Sequence, residues 1–349
     1  MSGPRLLDES VHFRFPADDA SVTGVRLEAD RAVPGPRDFR RDDDGWILRV
    51  PRPEVQRLEY RLEVARGMSH ETILDPTNAV MVRAVFGDRS VLELPGYQPP
   101  WWISALAGAG RSRELLLPGE HGEQLPVTMW SPEHADDDEA LPLLLVHDGP
   151  EYDQLASITR YSAALIEAGQ LPPHRLALAH PVLRDAWYSG SPRYLRSMAA
   201  AGLDRIGESY PVRGPVVVMG ASLGGLTALL LGLAGAPRIG GVFAQSGSFF
   251  QPRTDGTESG YRWFDRITEL VRQILDARYT DHPLRVGMTC GVLEENAANN
   301  RRMATALTKA GHQVTYAEVA DLHNYTAWRD ALDPHLTQVL RDVWGEPQG

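Results

Sequence analysis

Along the first hundred residues, apolar side chains recur with period two. Val11-His12-Phe13-Arg14-Phe15 and Leu58-Glu59-Tyr60-Arg61-Leu62-Glu63-Val64 alternate, and Gly, Pro and Asp clusters such as Val33-Pro34-Gly35-Pro36 separate the runs. Successive side chains of a strand point to opposite faces, so the pattern predicts short half-buried strands in a small β-sandwich. Pro95-Gly96-Tyr97-Gln98-Pro99-Pro100-Trp101-Trp102 reads as a linker stiffened by proline and anchored by two tryptophans.

Beyond it the pattern changes to apolar strands alternating with longer helical stretches. Strands are predicted at 115–117, 126–130, 143–146, 176–179, 216–219, 242–244, 284–289 and 314–319, and helices at 223–233, 263–275, 301–310 and 325–343. Several strands are near-continuous Val, Leu and Ala, as expected for strands covered on both faces. The order predicts an α/β fold with a doubly wound, mostly parallel sheet. The expected domains are an N-terminal β-sandwich (early-set or Ig-like) over 1–98 and an α/β domain over 99–349.

Candidate chemistry enters at Pro215–Leu230, where a β-branched run breaks into Gly220-Ala221-Ser222-Leu223-Gly224 and then into a helical pattern. Strand, small-residue turn and helix together form the nucleophile elbow of the α/β-hydrolase fold. The turn needs small residues two before and two after the serine, because larger side chains meet the neighbouring backbone. It presents Ser222 at a helix N-terminus, where the Leu223 N–H faces a developing oxyanion.

A serine hydroxyl needs a base that is itself oriented by an acid, and in this fold the chain order is Ser, acid, His. His323, after the last predicted strand, is the expected base. His312 opens a strand and His335 falls inside the last predicted helix, so both are worse placed. Glu294 and Glu295, after the strand ending near Cys290, are the acid candidates, with Asp321 third. A second oxyanion donor is expected from His147-Asp148-Gly149-Pro150-Glu151. Pro150 has no N–H, so the donor is expected to be a neighbour such as Gly149 or Glu151, or a water.

The bulk numbers narrow the class. At 349 residues, 43% apolar and 23% charged, the chain reads as a globular protein of two domains. The net charge of −11 argues against a nucleic-acid surface. No apolar run of membrane-spanning length and no secretory h-region is visible, and the single Cys290 allows no internal disulfide, so a cytoplasmic location is expected. Neither metal-binding spacings nor the glycine motifs of nucleotide sites occur, so no metal and no cofactor are expected. The expected partner is a small-molecule ester, with no nucleic acid and no membrane.

These residues together resemble the enterochelin (enterobactin) esterases and the wider esterase D-type α/β-hydrolases. The resemblance rests on Asp75-Pro76-Thr77-Asn78, His147-Asp148-Gly149, Arg184-Asp185-Ala186-Trp187-Tyr188, Gly220–Gly225, Gln245-Ser246-Gly247-Ser248-Phe249, Gly291–Glu294 and His323 with Trp328. Around the base the family often has Gly-Gly-His-Asp, where this chain reads Asp321-Leu322-His323-Asn324. The resemblance implies Ser222 as nucleophile, His323 as base, Glu294 as acid and a ferric catecholate siderophore with a lactone backbone as substrate. Against so anionic and aromatic a ligand, Arg184, Arg193, Arg196 and Arg253 are candidate counter-charges and Trp187, Phe249 and Phe250 candidate stacking faces. Two other readings share the fold: an acyltransferase of the mycolyltransferase type, and a catalytically inactive hydrolase fold that only binds.

Overall fold

The computed structural model describes residues 3–16 and 18–345. By internal contacts the chain divides into two units. The smaller comprises the described residues up to Gln98 with Gly291–Glu295 and Ala320–Asn324; the larger comprises Pro99–Cys290, Asn296–Val319 and the described residues from Tyr325 on.

In the smaller unit, β1 (Arg5–Leu7), β2 (Ser10–Pro16), β3 (Gly24–Ala29), β4 (Arg40–Asp42), β5 (Gly45–Pro51), β6 (Arg57–Arg66), β7 (Ser69–Ile73), β8 (Met81–Val82) and β9 (Arg89–Glu93) form two antiparallel sheets. One has the order β1-β2-β5-β4; the other has β3-β6-β9-β8, with β7 also paired to β6, through Leu62–Arg66, beyond the Arg57–Tyr60 stretch that pairs with β9. The period-two pattern accounts for the packing: Val11, Phe13 and Phe15 of β2 and Leu58, Tyr60, Leu62 and Val64 of β6 are all buried. The Phe13 and Tyr60 rings meet edge to face at 5.1 Å, one from each sheet, so the sheets share a core as a sandwich.

Two short downstream segments are held on this unit. Leu322 is buried in the sandwich core and Leu293 packs on it. Gln56 N–H donates to the Ala320 carbonyl at 2.7 Å, and Arg57 Nη2 donates to Asp321 Oδ2 at 2.8 Å, both groups being buried.

The larger unit contains an eight-stranded sheet of β10 (Arg111–Pro118), β11 (Gln124–Ser131), β12 (Leu143–Val146), β13 (Arg175–Ala179), β14 (Val216–Ala221), β15 (Ile239–Gln245), β16 (Arg285–Gly291) and β17 (Gln313–Val319). Its order is β10-β11-β13-β12-β14-β15-β16-β17. β10, β11 and β13 pair antiparallel, and β13, β12, β14, β15 and β16 run parallel, so the sheet is mostly parallel and mixed at one end. All eight predicted strands are present. Val216–Met219, Leu143–Val146 and Val242–Ala244 are buried on both faces, as their continuous apolar character demands.

Helices α1 (Gly149–Ala156) and α2 (Ile158–Glu167) follow β12; α3 (Arg184–Tyr188), α4 (Pro192–Ser197) and α5 (Leu203–Ser209) follow β13. None of these five appeared in the sequence reading, because two are only five and six residues long and α1 opens on Gly-Pro. The predicted helices at 223, 263 and 301 are α6 (Leu223–Gly235), α7 (Phe264–Asp276) and α8 (Ala297–Lys309). The single helix expected over 325–343 is instead α9 (Tyr325–Asp330) and α10 (Thr337–Trp344), separated by a distorted turn. Asp333 there has φ −109° and ψ 123°, the extended backbone that Pro334 imposes on the residue before it, and His335 falls in this interruption rather than inside a helix. Among the described residues, no helix is long and apolar enough to cross a membrane.

Candidate active site

Ser222 follows the last residue of β14 and caps α6, with φ 56° and ψ −122°. A positive φ costs a serine about 1 kcal/mol or more and persists only where the surroundings impose it. They do so here by close packing. A Cβ added to Gly220 would lie 2.5 Å from the backbone carbon and oxygen of Gly224, and one on Gly225 would meet the Gln245 and Gly220 carbonyls at 3.2 Å. Hence the turn admits only glycine at 220. The first N–H groups of α6, beginning with Leu223, have no carbonyl one turn earlier in the helix, so their partial positive charge is available beside Ser222.

A second loop holds the elbow from the β15 side. Ser222 N–H donates to the Gln245 carbonyl at 2.9 Å, Ser248 N–H donates to the Ser222 carbonyl at 3.0 Å, and the Ser222 and Ser248 hydroxyls are 3.2 Å apart. This loop is itself fixed from three directions. Trp328 Nε1 donates to Ser246 Oγ, Asn296 Nδ2 to the Ser246 carbonyl, and Asn300 both donates to and accepts from the Gly247 backbone. Ser248 carried no role in the sequence reading; its signal was the small-residue run 246–248 directly after a predicted strand.

The loop after β12 lies on the other side of α6. Asp148, at φ 53°, is 1% exposed. A Cβ on Gly224 would come within 3.1 Å of its carboxylate. Arg184 Nε and Nη2 donate to the two Asp148 carboxylate oxygens, each at 2.8 Å. Two nitrogens of this candidate substrate arginine therefore serve to neutralise a buried carboxylate next to the elbow. Gly149 is buried at the start of α1, where an added Cβ would collide with the Leu178 backbone at 2.4 Å. Beside them His147 is fully enclosed, and burial pushes its imidazole down to about 4. Burial also raises the Glu151 carboxyl, whose Oε2 has no hydrogen-bond partner among the described residues.

In the smaller unit, His323 Nδ1 is 2.7 Å from Glu294 Oε2, and Glu294 Oε1 accepts the Gly291 N–H at 2.7 Å. The Glu294 side chain is 3% exposed and that of His323 35%. Asp321 is engaged differently: Oδ2 takes Arg57 and Oδ1 accepts the Leu322 N–H. Glu295 is exposed.

The candidate aromatic residues separate. Phe249 is 0% exposed, its ring under Gly247, so it offers no face to a ligand. Phe250 stacks on Phe264. Trp187 is half-buried and stacks on Tyr194 with ring centroids 5.2 Å apart. Arg193 pairs with Glu123 and Arg196 with Glu120, while Arg253 is exposed.

A mostly parallel eight-stranded sheet, with a serine in a strained strand-to-helix turn beyond its fifth strand in spatial order, defines the α/β-hydrolase class. Residues 119–339 match the family model described as "Putative esterase", and the chain belongs to that family. Among characterised relatives it is 27% identical to the Iron(III) enterobactin esterase of Escherichia coli K12 over 321 residues, covering 87% of this chain and 74% of that protein. It is 28% identical to the enzyme of that name from Dickeya dadantii, covering 92% and 84%. Ferric enterobactin esterase from Salmonella typhimurium superposes with a TM-score of 0.79 at 20% identity, over 98% of this chain and 96% of that one. The enterobactin esterase of Shigella flexneri, solved in the presence of enterobactin, gives 0.76 at 21%, over 99% and 96%.

Proposed function

We propose that this esterase works through a covalent serine intermediate, with Ser222 as nucleophile, His323 as general base and Glu294 as the acid that orients the imidazole. The observation that carries the proposal is the backbone of Ser222, since a non-glycine residue held at φ 56° directly before a helix N-terminus is the conformation a nucleophile elbow requires. The 2.7 Å contact between His323 Nδ1 and Glu294 supports the second half: with its proton on Nδ1, the ring presents Nε2 as the acceptor.

In this mechanism Ser222 Oγ bonds to the ester carbonyl carbon as its proton passes to His323 Nε2. The oxyanion is met by the Leu223 N–H and by an N–H of the loop after β12, for which Gly149 is our assignment. The C–O bond to the leaving alcohol then breaks, the alkoxide takes the proton from the imidazolium, and water activated by the same histidine releases the acid.

The substrate we assign is a ferric catecholate siderophore with a trilactone backbone, acted on in the cytoplasm. The names of the characterised relatives support this, as does the half-buried Trp187, one of the two candidate aromatic residues still open to a ligand.

A fluorophosphonate probe tests the nucleophile. Labelling is expected in the wild type and lost in both Ser222→Ala and His323→Ala; a wild type that resists the probe would mark the fold as a binding protein. Mass spectrometry of products from aryl esters and from ferric and iron-free trilactones then tests the substrate. Adding a competing alcohol separates hydrolysis from acyl transfer.

A further inference from the structure

In the smaller unit, the residue before the candidate base and the residue before the candidate acid are both leucines, and one core holds both side chains. Leu322, next to His323, is 3% exposed inside the β-sandwich, and Leu293, next to Glu294, packs against the same cluster. Both lie in loops, outside any helix or strand. The base loop is pinned at further points. Gln56 N–H donates to the Ala320 carbonyl, Arg57 Nη2 to Asp321 Oδ2, Leu322 N–H to Asp321 Oδ1 at 2.8 Å, and Asn324 N–H to the Leu322 carbonyl at 2.9 Å. In the acid loop, Glu294 N–H donates to the Gly291 carbonyl at 3.1 Å while Gly291 N–H donates to Glu294 Oε1. The two loops press together at this glycine: a Cβ on Gly291 would stand 2.3 Å from the Asp321 carbonyl oxygen.

A side chain 35% exposed on a loop has rotamer and backbone freedom to lose, whereas the 2.7 Å contact of His323 with Glu294 tolerates displacements of only tenths of an ångström. Seating the adjacent side chain in a close-packed core removes that freedom, because such a core resists a change of even one methylene group. In the pattern Gly-Gly-His-Asp, the two positions before the histidine have no side chain to seat. Here Asp321 brings a charge, taken up by Arg57, and Leu322 brings an apolar anchor.

We propose that the β-sandwich is a template that aligns the acid with the base, and that Leu322 and Leu293 are its positioning residues. The proposal rests on the reading of His323 and Glu294 as base and acid, and it gives the N-terminal domain a part in turnover: its core fixes the two residues next to the pair, and the pair follows.

The test is aryl-ester kinetics and proton NMR of the full chain, both well below each variant's unfolding midpoint. Leu322→Ala should lower kcat about tenfold or more with KM within about twofold, and Leu322→Met, which keeps an apolar side chain of similar volume, should stay within about threefold of wild type. Leu293→Ala, which truncates a half-buried side chain, should lower kcat about fourfold. Leu27→Ala removes the same atoms as Leu322→Ala from the same core, at β3, and should leave kcat within about twofold. Asparagine at 321 can still accept the Leu322 N–H, so Asp321→Asn should change kcat by less than about threefold. The downfield imidazole N–H signal, assigned by its loss in His323→Ala, should persist in Leu27→Ala and broaden away in Leu322→Ala. Wild-type kcat in folded Leu322→Ala, or an equal loss in Leu27→Ala, overturns the template; should Leu322→Ala fail to fold, wild-type kcat in Leu293→Ala overturns it. Hydrolysis that depends on His323 yet is untouched by either leucine variant defeats the template alone. A downfield signal that depends on Leu322 in a protein without His323-dependent hydrolysis defeats the mechanism alone, and a wild type with neither overturns both.

Discussion

The hydroxyl of Ser248 lies 3.2 Å from that of Ser222, and its N–H donates to the Ser222 carbonyl. One side chain therefore touches the candidate nucleophile while its own backbone holds the strained peptide that presents it. When Ser248 donates its proton to Ser222 Oγ, the Ser222 proton is free to point at a base. Losing one neutral hydrogen bond of about 1 kcal/mol predicts that Ser248→Ala lowers kcat about fivefold with KM within twofold, and that Ser248→Thr restores it. Unchanged kcat in Ser248→Ala would remove this role.

The two acids near the candidate base are predicted to fail in different ways. Glu294→Gln should lower kcat by about a hundredfold or more with little change in unfolding temperature, because it disturbs the imidazole that Glu294 orients. Asp321→Asn should instead cost stability, about 2 kcal/mol, because it removes the nearer of two carboxylates facing the buried Arg57 guanidinium, Asp321 at 2.8 Å against Glu59 at 3.8 Å. Steady-state kinetics and urea unfolding of both variants check the assignment; a severe kcat loss in Asp321→Asn with normal activity in Glu294→Gln would reverse it.

Gly220→Ala is predicted to block the elbow. The new methyl would stand 2.5 Å from the Gly224 backbone, which cannot move aside as a side-chain tip can. The expected outcome is insoluble protein, or folded protein destabilised by about 3 kcal/mol or more that no longer reacts with the fluorophosphonate. Normal labelling of a stable Gly220→Ala protein would show that the turn is not so constrained.

Arg184→Ala leaves the Asp148 carboxylate, 1% exposed, without its bidentate partner. Removing one member of such a pair costs about 3 kcal/mol, and the Arg184 side chain, 36% exposed, places this case at the lower end. The measurement is the urea midpoint of Arg184→Ala beside Arg184→Lys. If Arg184→Ala unfolds at the wild-type midpoint while binding ester less tightly, Arg184 belongs to substrate recognition alone.

Two histidines predict the acid limb of stability. Burial lowers both His147 and His174 to about 4, against an ordinary value of 6.5. The unfolded chain takes up protons on these rings below about pH 6.5 and the native chain only near 4, so their contribution is fully present above 6.5 and is lost as pH falls. Each adds a slope of about 1.4 kcal/mol per pH unit within that window. Thermal midpoints between pH 7 and 5 should fall accordingly, and His174→Gln should flatten the decline; a wild-type midpoint level over this range would contradict the buried neutral rings.

The parts of the fold legible in the residue order are those set by local periodicity. All eight strands of the large sheet and helices α6, α7 and α8 were readable, because burial on both faces demands continuous apolar runs and a helical stripe repeats within one element. The short helices α1–α5 and the break at Asp333 were not, since pieces of five to ten residues are stabilised by what they pack against rather than by their own propensity. Among candidate ligand contacts the same division holds. Trp187 and Phe249 look alike in one dimension, yet one lines a cavity and the other is closed inside the core.

What the sequence determined by itself was the elbow: Gly220, Ser222, Gly224 and the strand and helix around them are one contiguous stretch, and the steric demand of a sharp turn acts within a few bonds. Tertiary structure alone decided which acid meets His323 Nδ1, that Arg184 neutralises Asp148, and that Ser248 reaches Ser222. Those pairs lie 26 to 36 positions apart in the chain. A contact across such a span depends on where the intervening strands and helices turn, and hydrogen bonds select their partners over tenths of an ångström, which residue spacing does not specify.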